Sequence, residues 1–339
     1  MTEAAQSPNP SAQDPSDLIA KLDNAHGKLT EVRKEIGRVI FGQQKVIEET
    51  LITLLAGGHV LLIGVPGLGK TRLVETIGQV LGLEEHRVQF TPDLMPADIL
   101  GSEVLEEGET GRRSFRFIRG PIFCQLLMAD EINRASPRTQ SALLQAMQER
   151  RVSVAGHYHD LPAPFHVLAT QNPLEQEGTY PLPEAQLDRF LMQVDIDYPQ
   201  LAAERDILTA TTGAKDETPA TVIDGKELIA LQRLVRLIPV GESVLAAILD
   251  LVRAGRPTSS EIPEVRDHVA WGPGPRASQA LMLGVKARAV LEGRLAPSLD
   301  DVLALAHPML RHRMALNFAA RAEGITLARI IDKLCSRIV

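Results

Sequence analysis

Apolar positions along the chain follow two periods. From Ala20 they recur every three or four residues, and Val46, Ile47, Leu51, Leu54 and Leu55 line one helical face. A continuous apolar run then spans His59, Val60, Leu61, Leu62 and Ile63 and stops at a glycine-rich turn opening at Gly64. A run that short, ending that way, predicts a strand buried on both faces, followed by a loop and a helix from about Gly69 to Leu81. The same strand pattern returns at 87–90, 126–129, 166–170 and 190–194, with helical stretches between. Strands alternating with helices predict an α/β fold with a parallel sheet flanked by helices.

Two segments break this rhythm by alternating apolar and polar residues. Residues 102–118 do so around Gly108-Glu109-Thr110-Gly111, and 151–161 around Ala155-Gly156. Each predicts a β-hairpin inserted into the α/β layer. Beyond Tyr198 the character changes. Residues 211–225 are rich in Thr, Pro and Asp and read as a linker, and helical spacing dominates after it, at 228–237, 244–252, 278–291 and 300–310. The expected organisation is a disordered tail over 1–20, where Pro8, Pro10 and Pro15 stand among Ser, Gln and Ala, then an α/β domain over 21–210 and an all-helical second domain over 226–339.

Composition narrows the class. The chain has 339 residues and a net charge of −7, so it has no large electrostatic reason to hold nucleic acid or anionic lipid non-specifically. Its two cysteines, Cys124 and Cys335, are too few for a disulfide framework and read as buried thiols of a reducing compartment. No Lys or Arg precedes an apolar run in the first twenty residues, and the longest apolar stretch, 51–68, is broken by Gly57, Gly58, His59, Gly64 and Pro66. Neither a secretory signal nor a membrane span is expected, and a cytoplasmic location is.

The candidate chemistry begins at Gly64-Val65-Pro66-Gly67-Leu68-Gly69-Lys70-Thr71, a G-x-x-x-x-G-K-[ST] phosphate loop between a buried strand and a helix. Glycines let backbone amides turn toward phosphates, where the helix N-terminus adds partial positive charge. Lys70 then neutralises the β- and γ-phosphates, and the Thr71 hydroxyl ligates Mg²⁺. Gly64, Gly67, Leu68, Gly69, Lys70, Thr71 and Arg72 are the candidate nucleotide contacts. A second apolar run, Leu126 to Ala129, ends in Asp130 and Glu131. There Asp130 can serve the metal and Glu131 can polarise the attacking water, a pairing that points to hydrolysis. The competing reading of those two acids is a solvated turn. Asn172, after the strand at 166–170, can orient the water. Arg189, after a short helix, can reach a γ-phosphate or merely pair with Asp188 or Glu184.

These motifs occur in one order, together with Ile40-Phe41-Gly42-Gln43, the segment from Thr91 to Gly101, Gly120-Pro121-Ile122-Phe123, Ile132-Asn133-Arg134-Ala135 and the segment from Tyr180 to Phe190. On them the chain resembles the MoxR-type members of the AAA+ ATPases over nearly all of 25–335. The resemblance implies ATP and Mg²⁺ as ligands, Gly42 and Gln43 beside the adenine, sensor 1 at Asn172, an arginine finger at Arg189 and a lid arginine, sensor 2, at Arg276. It implies that the hairpins are the helix-2 insert and the pre-sensor hairpin, facing a central pore. The implied assembly is a hexameric ring acting as a chaperone on a protein client, with a von Willebrand factor A domain partner, in metal or cofactor insertion or complex maturation. Trp271-Gly272-Pro273-Gly274-Pro275 replaces the family's small-residue stretch before Arg276, which puts the entry to the lid in question.

Other features have blander readings. His157, His159 and His166 could ligate a metal, although a solvated or pore-facing hairpin accounts for them without one. Arg311-His312-Arg313 reads as a solvated helix face rather than a nucleic-acid patch. The rival to a chaperone is a nucleic-acid motor or loader, which would want basic hairpin tips; Arg112 and Arg113 sit beside Glu106, Glu107 and Glu109. A GTPase switch lacks its Asn-Lys-x-Asp guanine-reading motif.

Overall fold

The computed structural model describes residues 15–107, 113–175, 178–213 and 217–338. Along the chain these form α1 (Pro15–Gly37), α2 (Gln44–Leu55), β1 (Val60–Ile63), α3 (Lys70–Val80), β2 (Glu85–Gln89), α4 (Pro96–Leu100), β3 (Gly101–Glu107), β4 (Arg113–Arg119), β5 (Leu126–Asp130) and α5 (Pro137–Glu149). There follow β6 (Arg151–Val154), β7 (His157–Asp160), β8 (His166–Gln171), α6 (Glu184–Leu187), β9 (Met192–Asp195) and α7 (Leu201–Thr211). The lid comprises α8 (Gly225–Leu237), α9 (Glu242–Ala254), α10 (Pro263–His268), β10 (Val269–Trp271), α11 (Pro275–Leu291), α12 (Leu299–Leu310), β11 (Ala315–Leu316), α13 (Phe318–Ala322) and α14 (Leu327–Cys335).

The main sheet has five parallel strands in the order β2-β5-β8-β1-β9. Strand side chains alternate between faces, and both faces are buried. Val60, Leu62, Leu126, Met128 and Leu168 enter one cluster, whereas Leu61, Leu127, Ala129, Val167 and Ala169 enter another. The first cluster continues without a break into the lid through Leu234, Ile248, Leu281, Leu305 and Ile331. The second is closed by α5 and by the antiparallel hairpins β3–β4 and β6–β7, both of which lie where the alternation predicts them. The tip of the first hairpin, Gly108 to Arg112, lies outside the described residues.

Four expectations need correction. The tail expected over 1–20 is helical from Pro15, because Leu22, Ala25, Leu29, Val32 and Ile36 form a buried stripe at three- and four-residue spacing, and proline is tolerated in a helix's first turn. The described part of the linker is tied down, with Val222 N–H on the Val80 carbonyl at 2.9 Å and Ala220 N–H on Glu35 at 3.0 Å. The lid is not all-helical, since β10 and β11 pair as a short antiparallel ribbon. Cys124 is buried, but Cys335 is only partly so.

The largest departure is Arg313, which is buried with a relative exposure of 2%. Its guanidinium donates to the carbonyls of Phe190 (2.6 Å), Leu191 (3.0 Å) and Met309 (2.6 Å) and to Asp188 Oδ1 (2.7 Å). The carbonyls just before β9 have no ladder partner, and arginine's planar fork satisfies several of them together. His312 Nε2–H donates to the Phe190 carbonyl at 3.0 Å as well. The segment 311–313 therefore fastens lid to sheet instead of facing solvent. Replacing Arg313 with Ala leaves three carbonyls and Asp188 short of donors, and the expected cost is about 3–5 kcal/mol, read as a lowered denaturant midpoint.

Two further buried groups stand at the start of β1 and β8. His59 Nδ1 accepts the Val167 N–H at 2.9 Å while its Nε2–H meets the Met147 carbonyl at 3.2 Å, and His166 Nδ1–H donates to the Gly58 carbonyl at 2.8 Å. Burial holds His59 at about 3 and His166 at about 4, with nearby Arg150 pushing the same way. Below the unfolded value of about 6.5 the unfolded chain takes up protons that the folded chain refuses. Stability should thus fall as pH drops from about 6.5 toward 4, by up to ~1.4 kcal/mol per histidine per pH unit. Denaturant midpoints that stay flat between pH 7 and 5 would contradict this.

Candidate nucleotide site

β1 ends at Ile63 and the chain turns through 64–69 into α3, which starts at Lys70. Gly67 and Gly69 hold φ of 84° and 75°, the left-handed region that glycine enters without steric cost, so the loop curls back on itself. Lys70 Nζ donates to the carbonyls of Gly64 and, at 3.1 Å, Val65, closing the loop around the ammonium. Partial burial lowers the Lys70 pKa, while Asp130 and Glu131 oppose that shift.

Asp130 closes β5 and Glu131 follows it in a left-handed turn with φ 55°. Thr170 on the adjacent strand β8 serves both: its hydroxyl donates to Asp130 Oδ1 at 2.6 Å and accepts the Glu131 N–H at 2.8 Å. On the other side, Arg87 of β2 donates to Asp130 Oδ2. The Glu131 carboxylate accepts from Gln89 at 2.7 Å and from Arg134 at 3.0 Å, and Arg134 also pairs with Glu175 at 3.1 Å. These are structured acids, which removes the solvated-turn reading.

One cavity of about 530 Å³ is lined by Gly67, Gly69, Lys70, Thr71, Arg72, Asp130, Glu131 and Asn172. It brings the predicted phosphate, metal and water groups together. The Thr71 hydroxyl and the Asp130 carboxylate offer oxygen donors only, the kind a hard divalent cation takes alongside phosphate oxygens. Asn172 is fixed by its Oδ1, which accepts the Leu174 N–H at 3.1 Å. A neighbouring cavity of about 270 Å³ is lined by Gly64, Val65, Leu68, Ile196 and Tyr198 among others. Gln43 ties to this side through a 3.1 Å bond from Nε2 to the Leu68 carbonyl. Gly42, with φ 71°, runs so close to α7 that a Cβ there would lie 2.3 Å from that of Ala203.

Arg189 and Arg276 are not in this cavity. Leu191 N–H bonds the His59 carbonyl, so Arg189 lies at the start of β1 and β9, whereas the phosphate loop follows their opposite ends. Five residues of strand separate the two, roughly 15 Å. Arg189 and Arg276 instead line a second cavity of about 290 Å³ with Arg150, Arg313 and Asp188. Asp188 is taken by Arg313 at 2.7 Å and Arg276 at 3.7 Å, and Arg189 Nε is buried without a hydrogen-bond partner. Burial, with Arg276 nearby, depresses the Arg189 pKa. The alternative reading, a local pair of Arg189 with Asp188 or Glu184, is not what the described residues form, and the Arg189 Nε is left without an acceptor.

Among the described residues of the hairpins, two arginines are engaged by acids. Arg113 pairs with Glu107 at 3.7 Å and Arg116 with Glu106 at 3.1 Å, while Phe117 stacks on His159 at 4.0 Å, joining the two hairpins. Among the described residues no cluster of three or more His, Cys, Asp or Glu could hold a metal, and His166 is locked inside β8. No helix among the described residues is long and apolar enough to cross a membrane.

A phosphate loop after β1, an acid pair at the end of β5 with β8 between the two strands, and a mainly helical lid together define a P-loop nucleoside triphosphatase of the AAA+ class. Residues 59–192 match the ATPase family associated with various cellular activities (AAA), and 264–334 match the AAA lid domain. The chain is 39% identical to Chaperone MoxR1 of Mycobacterium tuberculosis, over 90% of this chain and 80% of that one. It is 40% identical to the Bacillus subtilis protein YeaC, over 94% and 97% of the two chains. The crystal structure of a candidate ATPase from Cytophaga hutchinsonii superposes with a TM-score of 0.88 at 36% identity, covering 96% of this chain and 98% of that one. The chain belongs to the MoxR family of AAA+ ATPases.

Thr170, Arg87, Gln89 and Arg134 had no assigned part in the sequence reading, and Asp188 entered it only as an alternative partner for Arg189. Arg87 and Gln89 do share a face of β2 by their two-residue spacing, but only the strand order places Asp130 beside them. Thr170→Val keeps the volume and leaves Asp130 Oδ1 and the Glu131 N–H unpaired. The expected result is a loss of about 1–3 kcal/mol in stability together with slower ATP hydrolysis, checked by denaturation and steady-state assay of one preparation.

Proposed function

We propose that this chain is a Mg²⁺-dependent ATPase that works as a ring and remodels a protein client. The observation that carries the reading is the single cavity lined by Lys70, Thr71, Asp130, Glu131 and Asn172, set far from Arg189, whose Nε has no partner. Lys70 and the loop amides bind the β- and γ-phosphates. Thr71 and Asp130 hold the cation, which when bound neutralises developing phosphate charge. Glu131 polarises the attacking water and Asn172 orients it. Gly42 and Gln43 flank the adenine, with Leu68 between the phosphates and the base.

Arg189 is out of reach of its own phosphate loop, so it serves the loop of a neighbouring subunit, and Arg276, held beside it through Asp188, serves the same one. The lid arginine therefore belongs to the interface instead of closing over its own nucleotide. A hexameric ring fits this division of the site. Chaperone action follows from the relative Chaperone MoxR1, and a von Willebrand factor A domain partner, with metal or cofactor insertion or complex maturation as the task, follows from the family resemblance. The nucleic-acid motor reading loses support from the ion-paired arginines Arg113 and Arg116.

Lys70→Ala should lose ATP binding, whereas Glu131→Gln should bind normally and turn over at least ~100-fold more slowly. Equal, tight affinity in both variants would remove Lys70 from the phosphates. Arg189→Ala should bind ATP but hydrolyse it ~10³- to 10⁵-fold more slowly. Mixing it with Glu131→Gln should restore part of the turnover, since an Arg189→Ala subunit keeps its own Glu131 and takes an arginine from its neighbour. Mixed rings without recovery would make Arg189 structural. Capture of bound proteins by Glu131→Gln in ATP addresses the client.

A further inference from the structure

Nothing in the phosphate chemistry above calls for Arg87. It sits two residues before Gln89 on β2, so both side chains face the same side of the sheet, and the parallel register sets Gln89 opposite Asp130. Arg87 Nε and Nη2 donate to Asp130 Oδ2 at 3.2 and 2.5 Å, and the same Nη2 donates to Gln89 Oε1 at 3.1 Å. Gln89 Nε2 in turn donates to Glu131 Oε2 at 2.7 Å. An unbroken hydrogen-bonded chain thus joins the two carboxylates through one guanidinium. With Thr170 on Oδ1, both oxygens of Asp130 are engaged.

Resting on the reading of Asp130 as the cation-side acid and Glu131 as the base, we propose that Arg87 is a positioning residue with two effects: it weakens the hold of Asp130 on Mg²⁺, and through Gln89 it sets the orientation of the Glu131 carboxylate. A positive charge within hydrogen-bond distance of Asp130 cancels much of the field that a divalent cation would feel there. Asp130 is buried but the Arg87 side chain is about half exposed, so the guanidinium can withdraw into solvent when a cation takes its place. A plain surface ion pair, by contrast, would brace the edge strand without touching cation dependence.

The test uses the full chain, with N-methylanthraniloyl-ADP binding followed by fluorescence during MgCl₂ titration and with steady-state ATP hydrolysis. Arg87→Ala should lower the Mg²⁺ concentration for half-maximal probe binding about tenfold while kcat falls about tenfold. Arg87→Gln removes the same charge with more bulk retained and should give the same Mg²⁺ shift, so the test survives poor folding of the alanine variant. Arg87→Lys keeps the charge without the fork. It should keep the Mg²⁺ requirement within about twofold of wild type and still lose kcat. An unchanged or raised Mg²⁺ requirement in both charge-removing variants would overturn the proposal alone, provided wild-type binding depends on Mg²⁺ and Glu131→Gln binds without hydrolysing. Wild-type probe binding that ignores Mg²⁺ would overturn the Asp130 reading and the proposal with it.

Discussion

Two carboxylates at consecutive positions repel one another, and a buried strand can end in Asp130 and Glu131 only if each acid has its own donors and its own direction. The backbone supplies the direction, because the left-handed turn at Glu131 sends its side chain away from that of Asp130. Such a turn costs a non-glycine residue of order 1 kcal/mol. Thr170 offsets it by taking the Glu131 N–H and giving its own proton to Asp130. The remaining demand is met by Arg87 and Gln89 of β2 and by Arg134 beyond β5. The order β2-β5-β8 is therefore an electrostatic requirement as much as a packing result: the acid-bearing strand must lie between a strand ending in a hydroxyl and a strand bearing amide and guanidinium donors.

Much of this was legible in the sequence where the signal is contiguous. The phosphate loop is eight consecutive residues with a strand on one side and a helix on the other, and both hairpins announce themselves by alternation. Asp130 and Glu131 stand out because charge abruptly ends an apolar run. What could not be read depends on neighbours distant in the chain. Thr170, Arg87 and Gln89 gain meaning only from lateral strand pairing, which spacing along the chain does not encode. Arg313 was misread for the same reason, since its partners are carbonyls more than a hundred residues away. The prolines before α1 obscured a regular buried stripe, and strands of two or three residues, such as β10 and β11, are too short to show a period.

The arginines divide by how they are satisfied. Arg313 and Arg294 are both held by acids: the first is also surrounded by carbonyls, and the second grips buried Asp301 through both Nη atoms at 2.7 and 2.8 Å. Such groups hold structure, since removing either partner strands a charge. Arg189 has an orphaned Nε in a cavity, and Arg276 has only a long contact to Asp188. An unmet donor in the interior of a site costs free energy in the isolated chain. That cost is recovered when an anion reaches the cavity, which gives Arg189 an energetic reason to bind one.

The continuity of the core through sheet and lid, with Arg313 driven between them, also has a mechanical side. A joint that shares one apolar cluster and a buried guanidinium has no slack in which a displacement could be absorbed. Contacts of Arg313 and His312 tie the chain between α6 and β9 directly to the end of α12, so close packing links the two elements rather than a flexible hinge. The sheet and the lid of this chain then behave as one stiff body.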